Sequence, residues 1–301
     1  MRVLVTGAAG LLGREVVAQL AAGGWQVRAY DRKPLAPEDA GAGGAGRADE
    51  FRCGDLLDPG QAAQAVAGMD AVVHAAALPS PALGTEQEVF TVNVEVAQRV
   101  LSAAGHAGVR RIVYVSSLSA LGLAWSSRYR PPREIPVTEE HPFVGEDVYG
   151  LSKHLGEVVA QTVARRDDAT VVSLRFPFLG TGERLTRFLR QVHEDPGGFC
   201  RGELWGWLDT RDAARAVEAA LNRPLTGYHT VNITAPDTSS LLPSRELLRR
   251  YHPTLAAERA PEGFGTLFST RRAEELLDFA ARYSWRNDGQ GTAGDGLYFP
   301  T

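Results

Sequence analysis

The first 32 residues constrain this chain more than any other stretch. Arg2-Val3-Leu4-Val5 carries a strand signal, with no room ahead of it for a signal peptide. It runs into Thr6-Gly7-Ala8-Ala9-Gly10-Leu11-Leu12-Gly13, after which Leu12, Val16, Val17 and Leu20 recur at helical spacing. Gly23-Gly24 stops that helix, and 26–30 reads as a second strand ending on Asp31. The pattern is a β-α-β unit with a glycine turn between strand and helix. Glycine there lets the backbone approach a pyrophosphate, which would sit on the orphan N–H groups of the helix start. A carboxylate about 20 residues further on suits the hydroxyls of an adenosine ribose, and Asp31 stands there.

The rest of the chain keeps the same rhythm. Strand patterns at 51–56, 71–77, 111–115, 170–174 and 228–233 alternate with helical patterns at 61–67, 85–104 and 149–166. This alternation predicts an α/β fold: a Rossmann-type, doubly wound parallel sheet with helices on both faces. Ligands in such sheets bind outside the carboxyl ends of the strands. Residues 1–176 plus 208–235 would form the dinucleotide-binding domain. Residues 177–207 plus 236–301 would form a smaller, mainly helical substrate lobe over the cleft, with helical patterns at 244–250 and 270–279. Two connections stand out, a Pro/Gly/Ala loop at 34–49 and a long Pro- and Arg-rich stretch at 121–148.

Composition excludes several function classes. A net charge of −4 gives no electrostatic footprint for nucleic acid or a membrane surface. The apolar runs are far shorter than the ~20 residues that span a bilayer. Cys53 and Cys200 lack metal-ligand spacing, so no metal and a cytoplasmic location are expected. Of the 32 basic residues only Lys33 and Lys153 are lysines. In a chain that otherwise uses arginine, a surviving lysine marks a place needing a compact ammonium rather than a planar fork, or, as an open alternative for Lys33, is a leftover of codon bias.

Lys153 supplies that need. Tyr149 and Lys153 are spaced i, i+4, so a helix places both on one face, one turn apart. A phenol is a poor base at neutral pH, and a nearby ammonium favours its ionised form. Ser117 leaves the end of the fifth strand and would hold a substrate oxygen for proton transfer with Tyr149. His74, within the fourth strand, reads as a packed histidine.

The T-G-x-x-G-x-x-G turn, Asp55-Leu56, the serines Ser117 and Ser119, and the Tyr149/Lys153 pair follow one another between residues 1 and 235. In that order they resemble the extended short-chain dehydrogenase/reductases, the NAD-dependent epimerase/dehydratase group. The resemblance implies an NAD site lined by Gly7, Gly10, Leu11, Leu12, Gly13, Asp31, Arg32, Asp55, Leu56, Ala75, Ala76, Ala77, Asn93, Tyr149 and Lys153. Asn93 would face the active site, and Arg32 would pack over the adenine. NADP is the alternative cofactor if Arg32 or Lys33 neutralises its 2′-phosphate. The implied activity is NAD(P)-dependent hydride transfer at a carbinol or ketone of a sugar-like small molecule, with Ser117, Tyr149 and Lys153 catalytic and Ser117 and Ser119 on the substrate. A homodimer is the assembly that goes with it.

Two departures bear on the substrate. Nucleotide-sugar enzymes of the group place Asn three residues after the strand-six Arg, where this chain has Phe178. Alignment on Asp212 puts Trp205 where they carry a diphosphate-gripping Arg. Phe178 and Trp205 are therefore expected in the substrate wall, and a nucleoside diphosphate is not. The alternatives are a nucleotide-sugar 4-epimerase with tightly bound NAD and a non-enzymatic cofactor-sensing protein, a kind that usually lacks the Tyr/Lys pair.

Overall fold

The apolar runs are buried on both faces, and that is the environment of a parallel sheet covered by helices. In the computed structural model, which describes residues 1–34, 48–126, 128 and 130–287, they become seven parallel strands. These are β1 (Arg2–Thr6), β2 (Gln26–Asp31), β3 (Glu50–Cys53), β4 (Ala71–His74), β5 (Arg111–Ser117), β6 (Thr170–Phe176) and, last in the chain, β9 (Tyr228–Asn232). Their order is β3-β2-β1-β4-β5-β6-β9, so the chain reverses direction across the sheet between β1 and β4. A switch point of this kind opens a crevice at the carboxyl edge.

Alternation sorts the strand side chains between two apolar layers. Val3 and Val5 point into one, Leu4 into the other, all fully buried. The first layer holds α1 (Leu11–Ala22) against α6 (Thr210–Asn222). The second holds α2 (Pro59–Val66), α3 (Glu86–His106) and α4 (Val148–Asp167). Asp147 caps α4 by accepting from the Gly150 N–H at 2.7 Å, which fixes the helix start and places Tyr149 in its first turn.

The excursion after β6 contains α5 (Gly182–Glu194), a helix the strand and helix patterns above do not include. Its signal is present in the sequence, since Leu185, Phe188, Leu189 and Val192 recur at helical spacing and are buried. Two short parallel strands, β7 (Phe178–Leu179) and β8 (Trp207–Leu208), tie the two ends of this excursion together. The later helices are α7 (Ser244–Tyr251) and α8 (Arg271–Leu277). Although 270–279 was expected over the cleft, α8 packs on β9 and α6 beside the sheet. The first apolar layer continues without a break into Leu189, Trp205, Trp207, Leu247 and Leu248. Among the described residues no helix is long and apolar enough to cross a membrane. Most of the predicted 34–49 loop, and the tail of the substrate lobe beyond residue 287, lie outside the described residues.

The segment after α8 is held by two buried carboxylates, Asp212 and Asp237, the latter accepting from the Ser284 hydroxyl at 2.7 Å. Asp212, in the first turn of α6, accepts from the Arg282 and Tyr283 N–H groups at 2.8 and 2.9 Å and pairs with Arg215. Asp212→Ala strands both donors, and hydrogen bonds to a charged group contribute about 1.5–3 kcal/mol each. A loss of about 3 kcal/mol in urea unfolding is expected. A loss under about 1 kcal/mol would show that the segment is held by its other contacts, among them Ser284 on Asp237 and Trp285 on the Thr238 carbonyl.

Candidate active site

A cleft of about 880 Å³ opens at the carboxyl edge and runs from the glycine turn, past β4 and β5, to α5. Its first wall is built by backbone. Gly10 precedes α1 with no side-chain cap, so the helix presents its first N–H groups to an anion rather than to its own chain. Gly7 has φ +70°, and a Cβ there would stand 2.7 Å from the Ala76 nitrogen; one on Gly13 would stand 2.0 Å from the Gly7 carbonyl oxygen. No side chain can enter at either position, and the turn lies flat against β4. Asp31 closes this wall, its carboxylate accepting from the Ala9 N–H at 3.0 Å and the Lys33 N–H at 2.9 Å. These features fit a dinucleotide: a glycine turn, an uncapped helix start and an acid with lone pairs to spare at the end of β2.

Gly7, Gly10, Leu11, Leu12, Gly13, Asp31, Arg32, Asp55, Leu56, Ala75, Ala76 and Ala77, the residues expected at a dinucleotide, all line this one cleft. Ala9 and Lys33 line it as well. Asp55 also shapes its own turn by accepting from the Leu57 N–H at 2.9 Å. Asn93 differs from expectation, because it is buried in α3 and does not belong to the lining. Its amide bonds both the N–H and the C=O of Leu78, at 2.7 and 3.1 Å, and donates to the Ser152 hydroxyl at 3.0 Å. Ser152 in turn donates to the Tyr149 carbonyl at 2.7 Å. Asn93 therefore positions the strand exit and the helix that carry the site. His74 is packed, as read: its Nδ1 meets the Thr6 hydroxyl at 2.8 Å, and burial pushes its pKa down to about 3.

A cluster of polar side chains lines the cleft where β5 ends. Ser117, Ser119, Tyr149 and Lys153 meet there, each largely buried and each lining the cleft. Burial pushes the Tyr149 phenol up to about 12, against a smaller lowering by the Ser117 hydroxyl beside it. Burial likewise pushes the Lys153 amine down to about 8, which the Glu157 carboxylate opposes. The ammonium donates to the Val115 carbonyl at 2.9 Å and stands 6.0 Å from the centre of the Tyr149 ring. Sequence reasoning assigned the lowering of the phenol's pKa to Lys153. Here Lys153 is not among the groups that shift the phenol; Ser117 is the one that lowers it.

Glu157 escaped the sequence reading, though it stands one turn beyond Lys153 on the same helix face. It accepts two hydrogen bonds from Arg175, at 2.8 and 2.7 Å, and one from Ser116 at 2.6 Å, all buried. Ser116 is thereby committed to Glu157, while Ser117 is left to the cleft.

The far end is mostly aromatic. Phe178 stacks on Phe188 with ring centres 3.8 Å apart, and Phe199 and Phe268 complete the wall. Arg184 lies over Phe178 at 4.8 Å and donates to the Leu179 carbonyl at 2.9 Å. Trp205 does not take part. It is fully buried away from the cleft, packs on Tyr251 and His252, and donates to the Pro196 carbonyl at 2.8 Å. In place of Trp205, the same turn turns Glu203 toward the cleft, a residue the sequence did not single out. With no cation beside it, burial pushes this carboxyl up to about 7.

Comparison with known proteins points to one family. The model described as the NAD dependent epimerase/dehydratase family matches residues 3–234. Sterol demethylase protein B of Methylococcus capsulatus is 36% identical over 163 residues, which are 50% of this chain and 48% of that one. The chain thus spans about half the length of that relative. The uronate dehydrogenase of Pseudomonas putida is 29% identical over 240 residues, 80% of this chain and 78% of that one. Among solved structures, a short-chain dehydrogenase/reductase superfamily protein from Agrobacterium tumefaciens, crystallised with bound NAD, is 28% identical at a TM-score of 0.69. That match covers 94% of this chain and 93% of the other.

With only two lysines in the sequence, the state of Lys153 can be read directly. In protein labelled with ¹³C at the lysine ε-carbon, the Lys153 signal should titrate near 8. Glu157→Gln should move that midpoint lower, since the carboxylate holding the ammonium charged is gone. A midpoint above 10, near the free-lysine value, would show that the amine is hydrated.

Proposed function

The chain belongs to the NAD-dependent epimerase/dehydratase family, and on that premise we propose that it is an NAD-dependent oxidoreductase acting on a secondary alcohol or the matching ketone. The observation that carries this reading is the meeting of Ser117, Tyr149 and Lys153 at the carboxyl edge, at the end of a cleft that begins on the glycine turn. NAD, when bound, supplies the hydride acceptor, and NADH the donor. Its pyrophosphate would rest on the start of α1 and its adenosine ribose on Asp31. The chain's own residues manage the proton. Ser117 holds the substrate oxygen, and the Tyr149 phenol passes its proton to that oxygen on reduction and recovers it on oxidation. A phenol pushed up to about 12 is in its acid form at neutral pH, which suits the reductive direction. The Lys153 ammonium, protonated below about 8, would hold the nicotinamide ribose beside the phenol.

The substrate we propose is a free ring compound of sugar-like kind. Aromatic side chains at the far end would pack on the apolar face of such a ring. Segments 177–207 and 236–287 would supply that side of the cleft. The similarity to a uronate dehydrogenase supports this class. A nucleotide-sugar 4-epimerase would need a grip on a diphosphate. Of the described arginines beyond Tyr149, Arg184 alone lines the cleft, and it is engaged by Leu179 and Phe178.

Turnover of a panel of free sugars, uronic acids and nucleotide sugars, followed by NADH absorbance, tests the reading. Tyr149→Phe should lower kcat by at least about 100-fold, the usual share of a general acid–base group, with NAD affinity unchanged. Turnover within tenfold of the parent would remove Tyr149 from the chemistry. The same assay tests cofactor choice. Asp31 would accept from both ribose hydroxyls of NAD and repel the 2′-phosphate of NADP, so kcat/KM should favour NAD. A clear preference for NADP would show that Arg32 or Lys33 outweighs the acid.

A further inference from the structure

We propose that Glu203 determines substrate specificity, its carboxylate accepting a hydrogen bond from a second hydroxyl or an amine on the ring whose reacting carbinol faces Tyr149. The proposal rests on the oxidoreductase reading above and names the substrate's second contact.

Placement is the first observation. Glu203 lines the same cleft as Ser117 and Tyr149, and its charge acts on the Tyr149 phenol. Phe199 and Phe268, from distant parts of the chain, line that end of the cleft too. Among the described residues no hydrogen bond and no cation meets the carboxylate. The nearby arginine heads are turned to backbone, Arg201 donating to the Tyr251 carbonyl at 2.8 Å and Arg184 to that of Leu179. Glu203 is only part-buried and its oxygens are not sealed in the core, so a ligand donor in the cleft can reach them.

The backbone supplies the second, independent observation. Leu204 and Trp205 both lie in the left-handed region, with φ of 51° and 55°. Neither is glycine, and such residues persist only where their surroundings fix them, most often at functional sites. Here the surroundings do fix them: both side chains are fully buried, and the Trp205 carbonyl accepts from the Ser239 N–H at 2.9 Å and hydroxyl at 3.0 Å. The Gly206 N–H closes back on the Glu203 carbonyl at 3.0 Å. The turn sends Leu204 and Trp205 into the core and leaves Glu203 to the cleft, on a rigid mount rather than a free loop.

Charge then sets the ligand class. Above about pH 7, where the Glu203 carboxyl is ionised, it accepts hydrogen bonds and donates none, and affinities are to be measured in that range. It favours a hydroxyl, favours an ammonium more, and opposes an acid group on the substrate at that position. The specificity is for a hydroxyl or an amine over a carboxylate at that one ring position, and leaves a carboxylate elsewhere on the ring unopposed.

Four ring alcohols test this by calorimetry on the NADH-loaded protein, where no turnover occurs: cyclohexanol, trans-cyclohexane-1,4-diol, trans-4-aminocyclohexanol and trans-4-hydroxycyclohexanecarboxylate. The diol and the amino alcohol should bind at least about tenfold tighter than cyclohexanol, the share of one hydrogen bond to a charged group, and the hydroxy acid should bind most weakly. Glu203→Gln should abolish the preference for the amine and the bias against the acid while keeping the diol, because the amide oxygen still accepts. Glu203→Asp should retain part of the amine preference, and unchanged NADH affinity in both variants shows that the cleft is intact. Equal affinities for the four probes, binding of none, or the same order in Glu203→Gln would overturn the proposal. Because binding is read without turnover, such a failure leaves the oxidoreductase reading standing; an active Tyr149→Phe would sink that reading without touching the order of affinities.

Discussion

The buried pair of Arg175 and Glu157 holds the site's parts at fixed distances. Arg175 comes from the end of β6 and Glu157 from the middle of α4, and Ser116 of β5 adds a third bond. The same guanidinium reaches the Glu139 carbonyl at 3.2 Å, and the Glu139 carboxylate accepts from the Asn232 N–H at 2.8 Å, so the long connection and β9 are tied to it too. A buried ion pair is weak evidence for stability, because desolvation offsets most of the attraction. Its effect here is positional and electrostatic. It sets α4 against the strand ends, and its carboxylate opposes the loss of the Lys153 proton.

The sheet was legible because a strand buried on both faces leaves an unbroken apolar run, and because the helices between runs keep their own period. The nucleotide wall was legible for a related reason. It is made of backbone, and backbone approach is written as glycine at fixed spacing. Lys153 stood out against a background of arginine. The strand ends ran two residues further than the apolar pattern at β5 and β6, since Ser116 and Arg175, polar residues at the carboxyl edge, still pair in the ladder, and Ser117 and Phe176 pair beyond them.

What stayed hidden depends on direction and on contacts distant in sequence. Trp205 was placed in the substrate wall by counting residues from Asp212, but counting cannot see two left-handed residues in succession. Those turn the indole into the core and expose Glu203 instead. Asn93 advertised a polar role by its cost in mid-helix, yet its partners, Leu78 and Ser152, belong to different segments. Glu203 itself looked like any surface acid, because only the folded chain brings Phe199 and Phe268 to the same end of the cleft.

The unbroken apolar layer has a thermodynamic consequence. Leu247 and Leu248 share a cluster with Val3 and Val5, so among the described residues the segment after β9 is packed on the same core as the sheet. A core shared in this way is expected to unfold as one unit, so that whatever stabilises one part raises the midpoint of the whole. A ligand of the cleft at 100 times its dissociation constant adds about 2.7 kcal/mol to the whole. Melting temperature thus reports on occupancy of the cleft, even for compounds that undergo no reaction there.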